Sequence, residues 1–366
     1  MKIIFIVNAI GMQRCIKRID EFAERGYEVE AYGFDRGAKI NAKPKSCDIK
    51  AIGYIDISTR YVKRMAIIYQ GIKKVLNMTK RQDIVYYLFG LDNAIFFSIL
   101  SKKKYIYEES DLVHTYIKSN IIVGLFERIN KKIIKKSLLT VFTSEGFVKY
   151  HYGGNVPKNT FVIANRLPLS VGNLPVVEKK PFDIGHLSIG FVGYIRYSAI
   201  FNFAKVFCEH FPNSNFHFFG TTSNEANRVL FEPLKQFPNC HFHGAFKHPD
   251  KLPEVYSQLD VVLSTYDVKS ENVRYAEPNK IYEAIYYETP IIVSADTYLA
   301  EKVKRLGIGY GIDAMDDDAV VDLIENMTSD NLKEKVINLR KIDKMEALNI
   351  NDSFFRKLKT IFVGWK

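Results

Sequence analysis

The sequence is poor in cysteine, in tryptophan and in long apolar runs. Its four cysteines, Cys15, Cys47, Cys208 and Cys240, show no paired metal-ligand spacing. That excludes a zinc ribbon or a disulfide scaffold and fits free thiols in a reducing compartment. The most apolar stretch, Val85 to Leu100, is interrupted by Gly90, Asp92 and Asn93, short of the roughly 20 apolar residues that a membrane-spanning helix needs. The opening run Ile3-Ile4-Phe5-Ile6-Val7 stops at Asn8; it is too short for a secretory leader and reads as a buried first strand. No short-period repeat and no low-complexity segment is present, and no nucleic-acid-binding motif is evident.

What is present is ordinary globular material, 47% hydrophobic and 25% charged, with 26 Phe and 22 Tyr to fill a core. A chain of 366 residues is comfortable as two domains rather than one. The net charge of +11 is unevenly placed. Residues 1–180 carry 31 Lys+Arg against 16 Asp+Glu, whereas 181–366 carry 21 against 25. A basic half joined to a slightly acidic one implies that only the first faces a polyanion, the candidates being anionic lipid, a lipid-linked pyrophosphate or nucleic acid.

The first half alternates strands with helices. Ile3–Val7, Glu28–Phe34, Asp83–Leu88, Tyr105–Glu108 and Leu139–Thr143 read as strands. Cys15–Arg25, Tyr61–Leu76, Ala94–Ser101 and Ile121–Lys136 read as helices. A second series follows the Pro- and charge-containing stretch 174–182. It runs from the strand Leu187–Gly193 through helix Ile200–His210, strand Phe216–Gly220, helix Asn224–Phe237, strand Cys240–His243, helix Lys251–Gln258, strand Val261–Ser264 and helix Asn279–Tyr287 to strand Ile291–Ser294. The expected fold class is therefore α/β, with two doubly wound, Rossmann-like domains facing across a cleft and ligands beyond the carboxyl ends of the strands. The expected division is 1–172, 173–345 and a terminal helix in 346–366 that returns to the first domain.

The most informative segment is Glu277-Pro278-Asn279-Lys280-Ile281-Tyr282-Glu283-Ala284, followed by Glu288-Thr289-Pro290 and an apolar strand. Pro278 suits the start of a helix. A lysine in the first turn sits against the positive end of the helix dipole, which is unfavourable unless an anion is there, so the pattern reads as a phosphate site. Glu283 falls on the same helix face and can accept hydrogen bonds from two adjacent sugar hydroxyls. The competing reading is a surface Lys–Glu pair worth a few tenths of a kcal/mol.

Pro-x-Lys-x-x-Glu followed by this turn and strand resembles the donor-binding signature of GT-B glycosyltransferases, particularly retaining family four. Phe191-Val192-Gly193-Tyr194-Ile195-Arg196 is similar to the opening of their second domain. His243-Gly244-Ala245-Phe246, with Leu252, Pro253, Tyr256 and Asp260, resembles the stretch that contacts the nucleobase. Thr143 to Phe147 and Ile163-Ala164-Asn165 resemble the end of their first domain. The resemblance implies that Gly193 lets a donor diphosphate approach the backbone, that Arg196 and Lys280 bind it, that Glu283 holds the ribose and that Phe246 lies by the base. It implies no cofactor and no metal, since no Asp-x-Asp pair of the metal-holding kind is evident. Many relatives carry an acidic residue eight positions before the ribose glutamate, which holds the transferred sugar; here that position is Tyr275 and the nearest acid is Glu277, so either Glu277 takes that role or the sugar is held differently.

In the first domain Gly11, in the turn after the first strand, is placed for close backbone approach to donor or acceptor. The segment Glu108-Glu109-Ser110-Asp111-Leu112-Val113-His114 follows a strand and is dense in titratable groups. Glu109 or Asp111 is a candidate to orient or deprotonate an acceptor hydroxyl, and His114 to bind the donor sugar; helix capping by Ser110 or Asp111 is the competing explanation. Arg128, Lys131, Lys132, Lys135 and Lys136 interleave with isoleucines in a basic amphipathic helix that suits an anionic membrane surface; the competing reading is that its apolar side is packed in the domain.

The expectation is a cytoplasmic glycosyltransferase, peripheral on the inner face of the membrane. It would take a nucleotide diphosphate-sugar donor and a glycan or lipid-linked acceptor in surface polysaccharide assembly of the capsule or O-antigen kind. A nucleotide-sugar epimerase of the same architecture is the first alternative. A basic nucleic-acid-binding protein is the second, weakened because the charge lies in one half only, so no nucleic acid is expected as a partner.

Overall fold

The computed structural model describes residues 1–37, 42–56, 58–80, 83–175, 178–222 and 229–364. The chain forms two compact units, Met1–Ile163 with Asp352–Lys366, and Ala164–Asn351.

The first unit is built on seven parallel strands: β1 (Lys2–Val7), β2 (Glu28–Asp35), β3 (Ile49–Tyr54), β4 (Ile84–Phe89), β5 (Tyr105–Glu109), β6 (Leu139–Phe142) and β7 (Thr160–Val162). They lie in the order β3-β2-β1-β4-β5-β6-β7. The unbroken apolar run of β1 is explained by its central place, where Ile3 sits in register with Val29 on one side and Val85 on the other. A strand covered on both faces has no solvent side to alternate toward. β3 was not among the expected strands, because Ile-Lys-Ala-Ile-Gly-Tyr has no unbroken apolar run, and at the sheet edge Lys50, Ala51 and Tyr54 are exposed. Helix Gln13–Glu24 buries Cys15, Ile19 and Phe22 at helical spacing. The terminal helix Asp352–Val363 buries Phe354, Phe355, Leu358 and Phe362, with the Phe355 ring 5.1 Å from that of Phe22.

The chain leaves this unit earlier than expected and rejoins it later. Leu167 N–H donates to the Ala347 carbonyl at 2.9 Å, and Asn349 N–H donates back to the Leu167 carbonyl at 2.8 Å. Leu167 and Val171 are sunk in the second unit's core, so the divide falls after Ile163 rather than 172, and again at Asp352 rather than 346.

The second unit has six parallel strands: β8 (Ser188–Val192), β9 (Asn215–Phe219), β10 (Cys240–Gly244), β11 (Val261–Ser264), β12 (Ile291–Ser294) and β13 (Gly309–Ile312). Their order is β10-β9-β8-β11-β12-β13. One face is filled by Phe191, Phe203, Phe207, Phe216 and Phe218, the other by Val192, Tyr256, Ile281, Ile285 and Val293. The expected helix Asn224–Phe237 lies in part outside the described residues; its later part holds the short 3-10 helix Glu232–Gln236. In both sheets the strand order reverses beside the first strand, between β1 and β4 and between β8 and β11. The loops at that reversal form the crevice where ligands bind in sheets of this kind.

On β9 and β10 three histidines meet. His217 and His241 are register partners, and His217 Nδ1 lies 3.0 Å from His243 Nε2. Burial, with the charges of His241 and His243 adding to it, pushes the His217 pKa down to about 4 from an ordinary 6.5. His243 is lowered by burial and by His241. Below pH 6.5 the unfolded chain therefore takes up protons that the folded one refuses. Stability is fully present above that pH and falls as pH drops from 6.5 toward 4. The slope is at most about 1.4 kcal/mol per pH unit per histidine before solvent screening. His217→Gln should flatten this dependence, read from denaturant midpoints across the window; an unchanged slope would assign the acid sensitivity elsewhere.

Candidate functional site

Between the carboxyl ends of β8 and β11 lies a cavity of about 500 Å³, lined by Gly193, Tyr194, Arg196, Phe246, His248, Tyr266, Pro278, Asn279, Lys280 and Glu283 among others. Its floor is glycine for a steric reason. Gly193 has φ +127°, and a Cβ there would stand 3.0 Å from Lys280 Nζ. Gly193 N–H donates to the Phe219 carbonyl at 2.7 Å, and a Cβ on the adjacent Gly220 would come within 1.8 Å of the Gly193 carbonyl oxygen.

Helix Lys280–Tyr286 carries two functional side chains on one face. The Lys280 ammonium lies 4.6 Å from the centroid of the Phe191 ring, an arrangement that leaves a cation at the cavity edge. Glu283 is only 4% exposed. Its Oε2 accepts the Tyr256 hydroxyl proton at 2.7 Å, and its Oε1 lies 3.6 Å from His248 Nε2. Burial pushes its pKa up, but the His248 hydrogen bond, the Lys280 charge and the Tyr256 hydroxyl outweigh burial and hold the carboxyl below its usual value. The cavity thus contains an ionised acceptor and a cation side by side. Arg196 is exposed, with its guanidinium 4.8 Å from the Tyr197 ring centroid. Tyr266 is fixed at the opposite wall, its N–H donating to Ser294 Oγ at 2.7 Å and its carbonyl accepting from that hydroxyl at 2.9 Å.

Gly193, Arg196, Phe246, Lys280 and Glu283, named from the sequence, therefore meet in one cavity. Glu277 does not line it. It is buried, bonded by the Tyr282 hydroxyl and 3.0 Å from the Lys302 ammonium. His248 and Tyr266 were missed; an aromatic beside a strand end reads as core, and no local pattern marks it otherwise. Tyr256, named from the sequence only within the base-contacting stretch, bonds Glu283.

The first-unit candidates are differently placed. Glu109 ends β5, but its side chain is buried, held by His151 Nε2 at 2.7 Å and by the Asn130 amide at 2.6 Å. These two contacts occupy the carboxylate that the sequence offered as an acceptor base. His114 is also buried, its Nε2 3.5 Å from the Tyr150 hydroxyl. Burial above all, with His151 adding and Glu109 and Glu127 opposing, lowers its pKa, so the ring is neutral at pH 7. Its Nδ1 has no hydrogen-bond partner among the described residues. Asp111 is exposed in the turn before the 3-10 helix Val113–Tyr116, and its carbonyl accepts from Val113 N–H at 2.9 Å. Gly11 follows β1 with φ +88°. Among the described residues no group of three or more His, Cys, Asp or Glu is placed to hold a metal ion.

Residues 189–343, which begin at β8 and contain the whole cavity, match the family model described as glycosyl transferases group 1. Over these residues the chain is similar to the group 1 glycosyltransferases. No curated protein matches the sequence closely enough to count as a relative. Among solved structures, sucrose-phosphate synthase from Thermosynechococcus elongatus superposes with TM-score 0.70 at 16% identity, over 100% of this chain and 99% of that one. The Anabaena protein HepE, solved with UDP and glucose, gives 0.66 at 12% identity over 98% and 99%. The lipopolysaccharide outer core galactosyltransferase WaaB gives 0.63 at 14% identity over 100% of both chains. These likenesses establish a GT-B fold across the full chain.

Proposed function

We propose that this glycosyltransferase uses a UDP-sugar, with Arg196 and Lys280 on the donor diphosphate, Glu283 on the ribose hydroxyls and Phe246 against the base. The observation that carries this reading is the pairing in one cavity of a cation, Lys280, with a buried carboxylate, Glu283, held ionised beside it. A nucleoside diphosphate offers the matching pair, an anion and a vicinal diol. UDP is the nucleotide bound in the HepE structure.

Transfer breaks the bond from the anomeric carbon to the diphosphate oxygen. Negative charge grows on that oxygen as it leaves, and fixed cations aimed at it lower the barrier. In the retaining course that the family resemblance implies, the departing phosphate takes the acceptor proton, so the reading calls for no carboxylate base and no metal. A hexosyl donor and a glycan or lipid-linked acceptor on the inner face of the membrane complete the proposal, within surface polysaccharide assembly.

The test is thermal stability with UDP, GDP and ADP. A ligand at 100 times its Kd stabilises by about 2.7 kcal/mol. UDP should raise the melting temperature more than the others, and Lys280→Ala should remove most of that rise. A protein indifferent to all three nucleotides would overturn the assignment.

A further inference from the structure

Helix Asn120–Lys136 is where the basic character of the first unit and its exposed apolar surface coincide. Its inward side is fully committed. Ile133, Ile134 and Asn130 are buried, the Tyr105 hydroxyl donates to the Ile133 carbonyl at 2.8 Å, and the Tyr150 hydroxyl donates to Glu127. The opposite side is a stripe at three- and four-residue spacing, Ile121, Leu125, Arg128, Lys132 and Lys135, exposed along its whole length. Ile121 is 87% exposed and Leu125 54%, and Ile122 beside them is 44% exposed. Residues 112–144 hold six lysines and arginines, and their one carboxylate is Glu127, which faces Tyr150. The stripe is thus apolar over its first two turns and cationic over the rest.

An apolar patch on one stripe with a run of cations matches a surface that is apolar beneath and anionic above. We propose that this stripe docks the protein on an anionic phospholipid bilayer. Ile121, Ile122 and Leu125 enter the headgroup layer, and Arg128, Lys132 and Lys135 meet lipid phosphates. Among the described residues no helix is long and apolar enough to cross a membrane, so contact of this kind is made from one side. The inference adds to the reading of a membrane-held acceptor the element that makes contact and the charge of the lipid. The docking side chains all lie in the first unit, while the donor cavity is lined by the second.

Cosedimentation with vesicles tests it, using phosphatidylcholine alone and phosphatidylcholine with roughly one-third phosphatidylglycerol, enough to set a negative surface potential. The protein should bind the anionic vesicles, lose binding as salt rises, and ignore the neutral ones. Each cation reversed should weaken binding about fivefold or more, so K132E/K135E should abolish it. Ile121→Ser with Leu125→Ser should weaken it at least about tenfold. These side chains are exposed, so the variants should keep the wild-type melting temperature and its rise with UDP. Equal binding to both vesicles, or undiminished binding by either variant, would overturn the proposal. Loss of the UDP response in the wild type would overturn the donor reading and leave the vesicle result standing.

Discussion

Glu283→Gln should weaken UDP binding by about 1.5–3 kcal/mol, roughly ten- to a hundredfold in Kd, while leaving the protein folded. The substitution keeps the side-chain shape and one acceptor oxygen for the Tyr256 hydroxyl, now 2.7 Å away. It replaces the ionised acceptor with a group that is half donor, so two sugar hydroxyls can no longer both donate to it. Because the folded carboxyl titrates below its ordinary 4.5, the sign of the pH effect is fixed. The stabilisation that Glu283 contributes is present above the unfolded value and is lost as pH falls through the lower, folded one. UDP affinity in the wild type should therefore hold steady from pH 7 down to about 5 as far as this group is concerned. Calorimetric titration of both proteins with UDP decides the matter, and equal affinities would remove Glu283 from the donor site.

Gly220→Ala should destabilise the second unit by about 3 kcal/mol or more, among the larger losses a single methyl group can cause. The residue has φ +145°, and the added Cβ would meet the carbonyl oxygen and carbon of Gly193 at 1.8 and 2.8 Å. Neither backbone can easily move aside. Gly193 N–H is bonded to Phe219, and Gly220 N–H is bonded to the Gly244 carbonyl at 2.8 Å. The contrast with Gly193→Ala is informative, since there the nearest atom is the mobile end of Lys280 at 3.0 Å. That variant should displace the ammonium and lose activity with a smaller loss of stability, although φ +127° adds some strain. Urea unfolding of both variants separates them, and a Gly220→Ala protein with a wild-type midpoint would contradict the steric argument.

The alternation of short apolar runs with helical patterns made the two parallel sheets readable, because a doubly covered strand has to be apolar throughout. The strands that escaped were those whose position relaxes that demand. β3, with Lys50 exposed, and the three-residue β7 lie at the two edges of their sheet, and β13 is half glycine. In the site, Gly193, Lys280 and Glu283 were legible because each breaks a local rule: a glycine ending a strand, a lysine opening a helix, an acid one turn beyond that lysine in a helix otherwise apolar and aromatic. Tyr256 and His248 break none, and their role exists only through Glu283, far along the chain. Glu109 is the reverse case. Its crowded segment looked reactive, but the partner that occupies it, His151, is brought in by a different helix, and sequence spacing carries no trace of that contact.

The placement of helix Asp352–Val363 in the first unit has a consequence for biosynthesis. Residues 1–163 leave the ribosome first, yet the aromatic surface around Phe22, Tyr27 and Phe161 is covered only when Phe354, Phe355 and Phe362 arrive. The whole second unit is translated in the interval, a delay of roughly 10–40 s at about 5–20 residues per second. Throughout it the nascent first unit presents an uncovered phenylalanine-rich surface, the kind of surface that chaperones engage. A ribosome that stops before codon 352 would release a chain in which the second unit is complete and the first is not.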